Sequence, residues 1–278
     1  MPAAITRKLS EADMGACAFI IDFIYERCRI RLHSGKEALI TARLGKRIRH
    51  HGFSGLAEYC AFLRSGADED ELTKVVDALT TNFTSFLREE DHFKFLVQTA
   101  LPPASKEKRF RVWSAACSSG EEPYTLAFYL MEHFPLTSGW DWKITATDIS
   151  TKVLEQAKSG VYAEDRVRMV PQDWIRKYFQ RGIGHWLGHY RVKPMISDCI
   201  EFRQLNLIAD YQMTCTYDVI FCRNVMIYFD RPTQEMLVNQ LCRHLSPRGF
   251  LMIGHSESLT GLKVPLNCLR PSIYQKTN

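Results

Sequence analysis

The segment Arg111-Val-Trp-Ser-Ala-Ala-Cys-Ser-Ser-Gly-Glu-Glu-Pro-Tyr124 carries the densest chemistry in the chain. An apolar run empties into small residues and then into a helix start, a layout that brings backbone N–H groups close to a ligand. Phosphate sites use that layout, but Glu121 and Glu122 repel a pyrophosphate and attract an ammonium group. Asp148 closes the next apolar run, Lys143-Ile-Thr-Ala-Thr-Asp148, where dinucleotide folds put the acid that holds a ribose. A ribose clamp joined to a cation-seeking turn points to S-adenosylmethionine rather than NAD. Acidic residues also suit any helix start, and Asp148 also fits an N-cap for a helix from Thr151. The conjunction of the two at one sheet edge favours the ligand.

A second constellation follows a later strand, Phe221-Cys-Arg-Asn-Val-Met-Ile-Tyr-Phe229. Arg223 and Asn224 are expected to crown the same edge, with Tyr228 close behind. Cys222 reads as a small strand residue, since no proline precedes it and no histidine is adjacent. His255-Ser256-Glu257 ends another strand without the Gly-x-Ser-x-Gly elbow of a hydrolase, and a structural or pocket-lining role is expected.

The elements that must position these residues alternate. Strands are expected at Phe110–Ala115, Lys143–Thr147, Ile200–Arg203, Tyr217–Phe221, Phe250–Gly254 and Ser272–Lys276, and helices at Glu122–Phe134, Thr151–Ser159 and Arg231–Leu245. That alternation is the signature of a parallel sheet with crossover helices. Ser246-Pro-Arg-Gly249 reads as a turn. The glycine-rich Arg181–Arg191 stretch, followed by Val192–Met195, reads as a small antiparallel insert. Residues from 10 to about 78 carry only helical patterns: a strongly apolar Phe19–Tyr25, then Lys36–His51 stopped by Gly52, Ser54–Leu63 and Asp68–Leu79. Thr80–Arg88 is rich in Thr, Ser and Asn and leads into a helix over Glu89–Ala100. The domains are therefore expected at 1–79 (helical), 80–100 (connection) and 101–278 (α/β, with the insert at about 175–200).

Composition narrows the class. Of 278 residues, 46% are hydrophobic and 24% charged, and the net charge is +5, so an acidic partner is permitted and nucleic acid is not demanded. Nine scattered cysteines without a Cys-x-x-Cys pair argue for reduced thiols in a cytoplasm, against a disulfide framework and against a zinc site of that type. No metal is expected. No apolar run reaches membrane-spanning length. The basic helix presents Lys36, Arg43, Lys46, Arg47, Arg49, His50 and His51; this is a solvated face or a dock for an acidic protein helix.

Together these residues resemble the CheR-type chemotaxis receptor glutamate methyltransferases. The resemblance covers nearly the whole chain and rests on Ala78-Leu-Thr-Thr-Asn-Phe-Thr-Ser-Phe-Leu-Arg88, on Arg111–Tyr124, on Phe221-Cys-Arg-Asn-Val-Met-Ile-Tyr-Phe-Asp230 and on Gly254-His-Ser-Glu257. It implies a class I, Rossmann-like S-adenosylmethionine-dependent methyltransferase domain with a small antiparallel β insert, preceded by a small all-helical domain. It also implies that Asn82, Thr84 and Arg88 reach the cofactor from the connecting segment, which closes over it. Glu122 and Asp148 would hold the amino-acid and ribose parts, Asn206 and Leu207 bound the adenine, and Arg223 and Asn224 complete the pocket. Arg181, Gly182, Gly184, Gly188 and Arg191 fit the Arg-Gly-x-Gly segment by which family members take a receptor's C-terminal peptide as an added strand. Arg43, Lys46, Arg47 and Arg49 are the expected substrate dock.

The implied reaction yields a glutamyl methyl ester and S-adenosylhomocysteine in sensory adaptation, on the cytoplasmic domain of a receptor, by a cytoplasmic and monomeric enzyme. A glutamate of pKa about 4.3 is already ionised at neutral pH, so no general base is required. Tyr228 is expected to position the transferring methyl, with Arg88 anchoring the cofactor carboxylate and any substrate role secondary. Asp148→Ala is expected to weaken cofactor binding with little loss of stability. Two rivals remain: a nucleic-acid methyltransferase, which should carry a Pro-Pro-Tyr or Pro-Cys site absent here, and a non-catalytic S-adenosylmethionine-binding module.

Overall fold

The computed structural model describes residues 11–32, 35–102 and 107–277. The chain forms two compact units, Met1–Thr81 and Asn82–Asn278. The helical reading begins at residue 10, which lies outside the described residues.

The first unit packs four helices: α1 (Glu11–Cys28), α2 (Glu37–His50), α3 (Leu56–Arg64) and α4 (Glu69–Leu79). Apolar residues recur at helical spacing and face inward: Cys17, Ile20, Ile24 and Cys28 on α1, and Ile40, Leu44 and Ile48 on α2. Gly52 ends α2 with φ +75°, a conformation that costs glycine nothing. Asp68 caps α4, its carboxylate accepting the Glu71 N–H at 2.8 Å.

In the second unit a short helix α5 (Asp91–Phe95) tightens into a π-turn over Leu96–Ala100. Strands and helices then run β1 (Arg109–Ala115), α6 (Glu121–His133), β2 (Asp141–Asp148), α7 (Thr151–Ser159), β3 (Val161–Ala163), α8 (Glu164–Val167), α9 (Gln172–Tyr178), β4 (Phe179–Arg181), β5 (His189–Val192), α10 (Pro194–Ser197), β6 (Ile200–Gln204), β7 (Tyr217–Cys222), α11 (Arg231–His244), β8 (Leu245–Met252), β9 (Leu266–Arg270) and β10 (Ile273–Lys276). The main sheet has the order β6-β2-β1-β7-β8-β10-β9. Its first five strands are mutually parallel, and β10 and β9 run antiparallel at one edge. Strand order reverses between β1 and β7, which makes their C-terminal ends the topological switch point. Buried on both faces, β1 contributes Phe110, Val112 and Trp113 to the core, and Trp113 gives its indole N–H to Thr147 Oγ1 at 2.9 Å.

Three local expectations need correction. The Ser246–Gly249 turn is a bulge inside β8: pairing jumps from Tyr217↔Leu245 to Val219↔Phe250, and Arg248 has φ +62°. Pro247 is tolerated there because a bulge leaves an N–H unpaired. The small sheet has three strands in the order β3-β5-β4, and β3 lies outside the expected insert. Strand β9 was not expected at all: it is an edge strand whose residues are mostly exposed, so it lacks a buried face to announce it. Among the described residues no helix is long and apolar enough to cross a membrane.

Candidate active site

The turn after β1 is built from left-handed backbone. Ala116, Ser118 and Gly120 have φ +65°, +50° and +96°. For Ala and Ser this conformation is unfavourable and persists only where the surroundings impose it. The Cys117 N–H bonded to the Thr147 carbonyl at 2.8 Å supplies part of that constraint. Glycine is required at 120, since a Cβ there would stand 2.9 Å from both Ala157 Cβ and Tyr162 Oη.

The two carboxylates that open α6 diverge in role. Glu121 is fully buried, paired with Arg166 and bonded by Ser119 Oγ at 2.7 Å. It is an internal brace and does not attract a ligand ammonium, contrary to the expectation for the pair. Glu122 accepts from Ser114 Oγ at 2.7 Å and lies 3.4 Å from Arg223 Nε. Burial pushes its carboxyl above the ordinary range, against the lowering pull of Arg223 and Ser114.

Arg223, from the end of β7, is buried among these groups. Its Nη2 donates to the Arg88 carbonyl at 2.5 Å and lies 3.4 Å from Glu89 Oε2. Its guanidinium lies over Phe93, 5.3 Å from the ring centroid. Nε and Nη1 are buried and make no hydrogen bond. Unmet donors on a permanently charged guanidinium fit an anionic headgroup, and Glu122 beside them fits an ammonium. An amino-acid moiety carries both.

Asn224 is left-handed too, at φ +58°, and its amide Nδ2 donates to Glu89 Oε1 at 3.2 Å. Glu257 fixes that geometry. One of its oxygens accepts from Asn224 N at 2.9 Å and Gly254 N at 2.6 Å, and the other from Met226 N at 2.8 Å and Ile227 N at 3.3 Å. Burial raises its pKa despite those donors. The structural role expected of the His255–Glu257 stretch is thus a clamp on the Arg223–Tyr228 loop. Tyr228 ends the 3₁₀ turn Met226–Tyr228, half-buried, and among the described residues its hydroxyl makes no hydrogen bond. Cys222 is buried and burial pushes its thiol up, as befits a packing residue.

Asp148 accepts the backbone N–H of Ser118 at 2.8 Å and of Ser150 at 2.9 Å. It ties the ends of β1 and β2 together, and removing it strands two buried donors, so the expectation of little stability loss is corrected. The N-cap of α7 is Ser150 rather than Asp148. A carboxylate has about four acceptor sites, so anchoring and ribose binding are compatible. Leu205 N bonds the Asp148 carbonyl at 2.9 Å, which carries Asn206 and buried Leu207 to the neighbouring position on the same edge.

Residues 82–88 are fastened to this unit by hydrogen bonds to site elements. The Asn82 carbonyl accepts from Ser118 Oγ at 2.9 Å, the Thr84 carbonyl from Arg166 at 3.4 Å, and the Arg88 carbonyl from Arg223; the Leu87 N–H donates to Thr125 Oγ1 at 3.3 Å. Arg88 itself donates to the Phe83 carbonyl at 3.0 Å and lies 5.8 Å from the exposed Phe83 ring. The edge thus gathers Asn82, Thr84, Arg88, Glu122, Asp148, Asn206, Leu207, Arg223 and Asn224 around the ends of β1, β2, β6 and β7. Sequence reasoning missed Glu89, which bridges Arg223 and Asn224, and Arg166, the counterion of Glu121. Neither has a local signal, since their partners lie far along the chain.

The peripheral candidates divide. Arg43 donates to the carbonyls of Leu79 and Thr80 at 2.7 and 3.1 Å, and Arg47 is paired with buried Glu71. Lys46 and Arg49 are exposed. On the small sheet, a groove of about 260 Å³ is lined by Arg181, Gly182, Ile183, Trp186, Tyr190 and Arg191, among others. Gly184 and Gly188 do not line it; at φ +60° and +79° they shape its turn. Gly182 lets the Trp186 carbonyl approach where a Cβ would collide.

Residues 82–274 match the family described as CheR methyltransferase, SAM binding domain, and residues 16–80 match CheR methyltransferase, all-alpha domain. The chain is similar to the chemotaxis protein methyltransferase of Salmonella typhimurium, 38% identical over 256 residues that cover 92% of this chain and 88% of that protein. It is 37% identical over 265 residues to that of Borreliella burgdorferi, covering 92% of each. With chemotaxis protein methyltransferase 2 of Pseudomonas aeruginosa it shares 40% over 254 residues, 90% of this chain and 89% of that one.

Proposed function

Because this chain belongs to the CheR methyltransferase family, we propose that it esterifies glutamate carboxylates on the cytoplasmic domains of chemotaxis receptors. It is an S-adenosylmethionine-dependent methyltransferase of chemotaxis. The observation that carries the finer reading is the set of engaged carboxylates around Arg223. Glu89, Glu122, Asp148 and Glu257 each already accept donors from the protein. Tyr228 is a phenol, a weak base at neutral pH. A site with its acids so committed suits a nucleophile that arrives ionised, which a glutamate does and an amine or hydroxyl does not.

When bound, the cofactor supplies an electrophilic methyl on a cationic sulfonium. The protein's part is to hold and align. Arg223, with its unmet donors, would hold the cofactor carboxylate, Glu122 the ammonium and Asp148 the ribose, and Leu207 with Asn206 would bound the base. The tied segment 82–88 roofs the crevice and excludes water, which favours a reaction in which opposite charges merge. Tyr228 would help to position the transferring methyl, and in-line positioning is the main work such a reaction asks of the protein. Arg88 would join Arg223 in anchoring the cofactor carboxylate by leaving the Phe83 carbonyl to which it now donates. The groove on the small sheet takes a receptor's C-terminal peptide: β4 is an edge strand open to augmentation, and Arg181 and Arg191 meet its acidic groups. Lys46 and Arg49 supply the basic face for an acidic receptor helix.

Incubation with cofactor and candidate receptor domains, read by mass spectrometry, tests the reading. Base-labile methyl esters on glutamate support it. Alkali-stable methylation of lysine or arginine refutes it.

A further inference from the structure

Beside Arg223, three metal-binding side chains converge whose ligand atoms the methyl transfer does not use. His92 is buried, with Nε2 2.7 Å from Ser272 Oγ. Ser272 has one hydroxyl proton, directed to the Pro271 carbonyl at 2.6 Å. Its oxygen therefore accepts at His92, and Nε2 carries the ring proton. That leaves Nδ1 as a bare lone pair. It is buried without a hydrogen bond and lies 3.7 Å from Glu89 Oε2, which likewise makes none and has only the longer ion pair to Arg223 Nη2 at 3.4 Å. Two acceptors aimed at each other repel, and a shared cation removes the repulsion. A third donor stands ready: one ligand atom each from Glu89, His92 and His255 lie within 4.8 Å of one another. His255 is exposed, so its ring is free to close the remaining distance.

The geometry points to a divalent transition-metal site of two imidazoles and one carboxylate. Two nitrogen donors of three select zinc or cobalt over magnesium or calcium. The Ser272 hydroxyl holds the far nitrogen of His92, the outer contact that orients a ligating histidine. Arg223 competes for Glu89, but Glu122 stands 3.4 Å from its Nε and supplies a second counter-charge. The ligands fall at 89, 92 and 255, so no sequence motif reveals them, and the cysteine spacing that argued against zinc does not bear on them. Occupancy draws Glu89 away from Arg223 and Asn224, so metal and cofactor oppose each other, reciprocally.

The test uses the full chain, freed of metal by chelator and titrated with cobalt under visible absorption and calorimetry. One equivalent bound, with affinity at least tenfold weaker in both His255→Ala and Glu89→Gln, is the expected result. Absence of binding at millimolar cobalt, or undiminished binding in His255→Ala, overturns the site and leaves a water between the two acceptors. Zinc should then weaken S-adenosylmethionine binding in the wild type and not in His255→Ala; an unchanged wild-type affinity with metal bound overturns the antagonism.

Discussion

Replacing Arg47 by alanine should destabilise the helical unit rather than merely weaken docking. Glu71 is 4% exposed. It accepts from Arg47 Nε at 3.0 Å, from Tyr59 Oη at 2.5 Å and from His51 at 3.1 Å. Burial alone raises its pKa, and the donors, Arg47 foremost, outweigh burial and bring it from 4.5 to about 2. At about 1.4 kcal/mol per pH unit, that difference is worth about 3 kcal/mol at neutral pH. The folded pKa is depressed, so this stability is present above the ordinary carboxylate range and is lost as pH falls toward about 2. Removing Arg47 forfeits much of this and leaves Glu71 a less compensated buried charge, so the whole cost should fall at about 3–5 kcal/mol. Arg49 and Lys46 are exposed, and alanine there should change stability by less than about 0.5 kcal/mol. All five tryptophans lie in the second unit, so tryptophan fluorescence follows that unit alone, and the part of the far-ultraviolet circular dichroism melt that precedes the fluorescence change reports the first unit's helices. Arg47→Ala should melt earlier at neutral pH and lose most of the acid-dependent part of the unfolding curve. A wild-type curve at neutral pH, or an undiminished acid slope, would refute the reasoning. A docking assay should therefore use Lys46→Ala and Arg49→Ala, since a loss in Arg47→Ala would be confounded by lost stability.

Arg223→Lys keeps the charge and loses the fork; S-adenosylmethionine affinity should fall about 10–100-fold by calorimetry, the value of one charge-assisted hydrogen bond, and an unchanged affinity removes Arg223 from the pocket. Asp148→Ala should weaken the cofactor and also lower stability by about 2 kcal/mol or more, because the Ser118 and Ser150 N–H groups lose their acceptor; a stable variant with weak cofactor binding would mean the anchor is dispensable. Arg181→Ala should impair binding of a receptor C-terminal peptide by fluorescence anisotropy and spare cofactor affinity; a peptide that binds as before would exclude the groove.

What the sequence made legible follows from which interactions are local. Apolar runs at 110–115, 143–147 and 217–221 are strands because their side chains are buried on both faces, and burial is written in composition. The turn residues around Gly120 and the pair Arg223–Asn224 stood out because polar or small groups interrupt those runs. The distant partners did not. Arg47 looked like one more cation on a basic helix, and only folding brings it to Glu71, 24 residues away. Glu121 and Glu122 are adjacent and identical, yet Arg166, 45 residues on, holds one as a buried brace while the other stands beside Arg223. Strand β3 was hidden because its partner β5 lies beyond two helices.

The strained positions explain why the crevice needs so long-range a frame. Leu87, Glu89, Ala116, Ser118 and Asn224 all carry positive φ, between +50° and +65°, and none is glycine. Each costs on the order of 1 kcal/mol or more unless held. The holders are carboxylates: buried Asp148 for Ser118, and half-buried Glu257 for Asn224. Partial burial raises the pKa of Glu257 against its four N–H donors, which together fix one loop shape. A carboxylate that organises backbone in this way leaves nothing to rearrange when charge moves, so the ordering is complete before the substrate arrives. Acidic groups that look catalytic in the sequence serve here mainly as braces: Asp148 and Glu257 hold backbone N–H groups, and Glu121 holds Arg166.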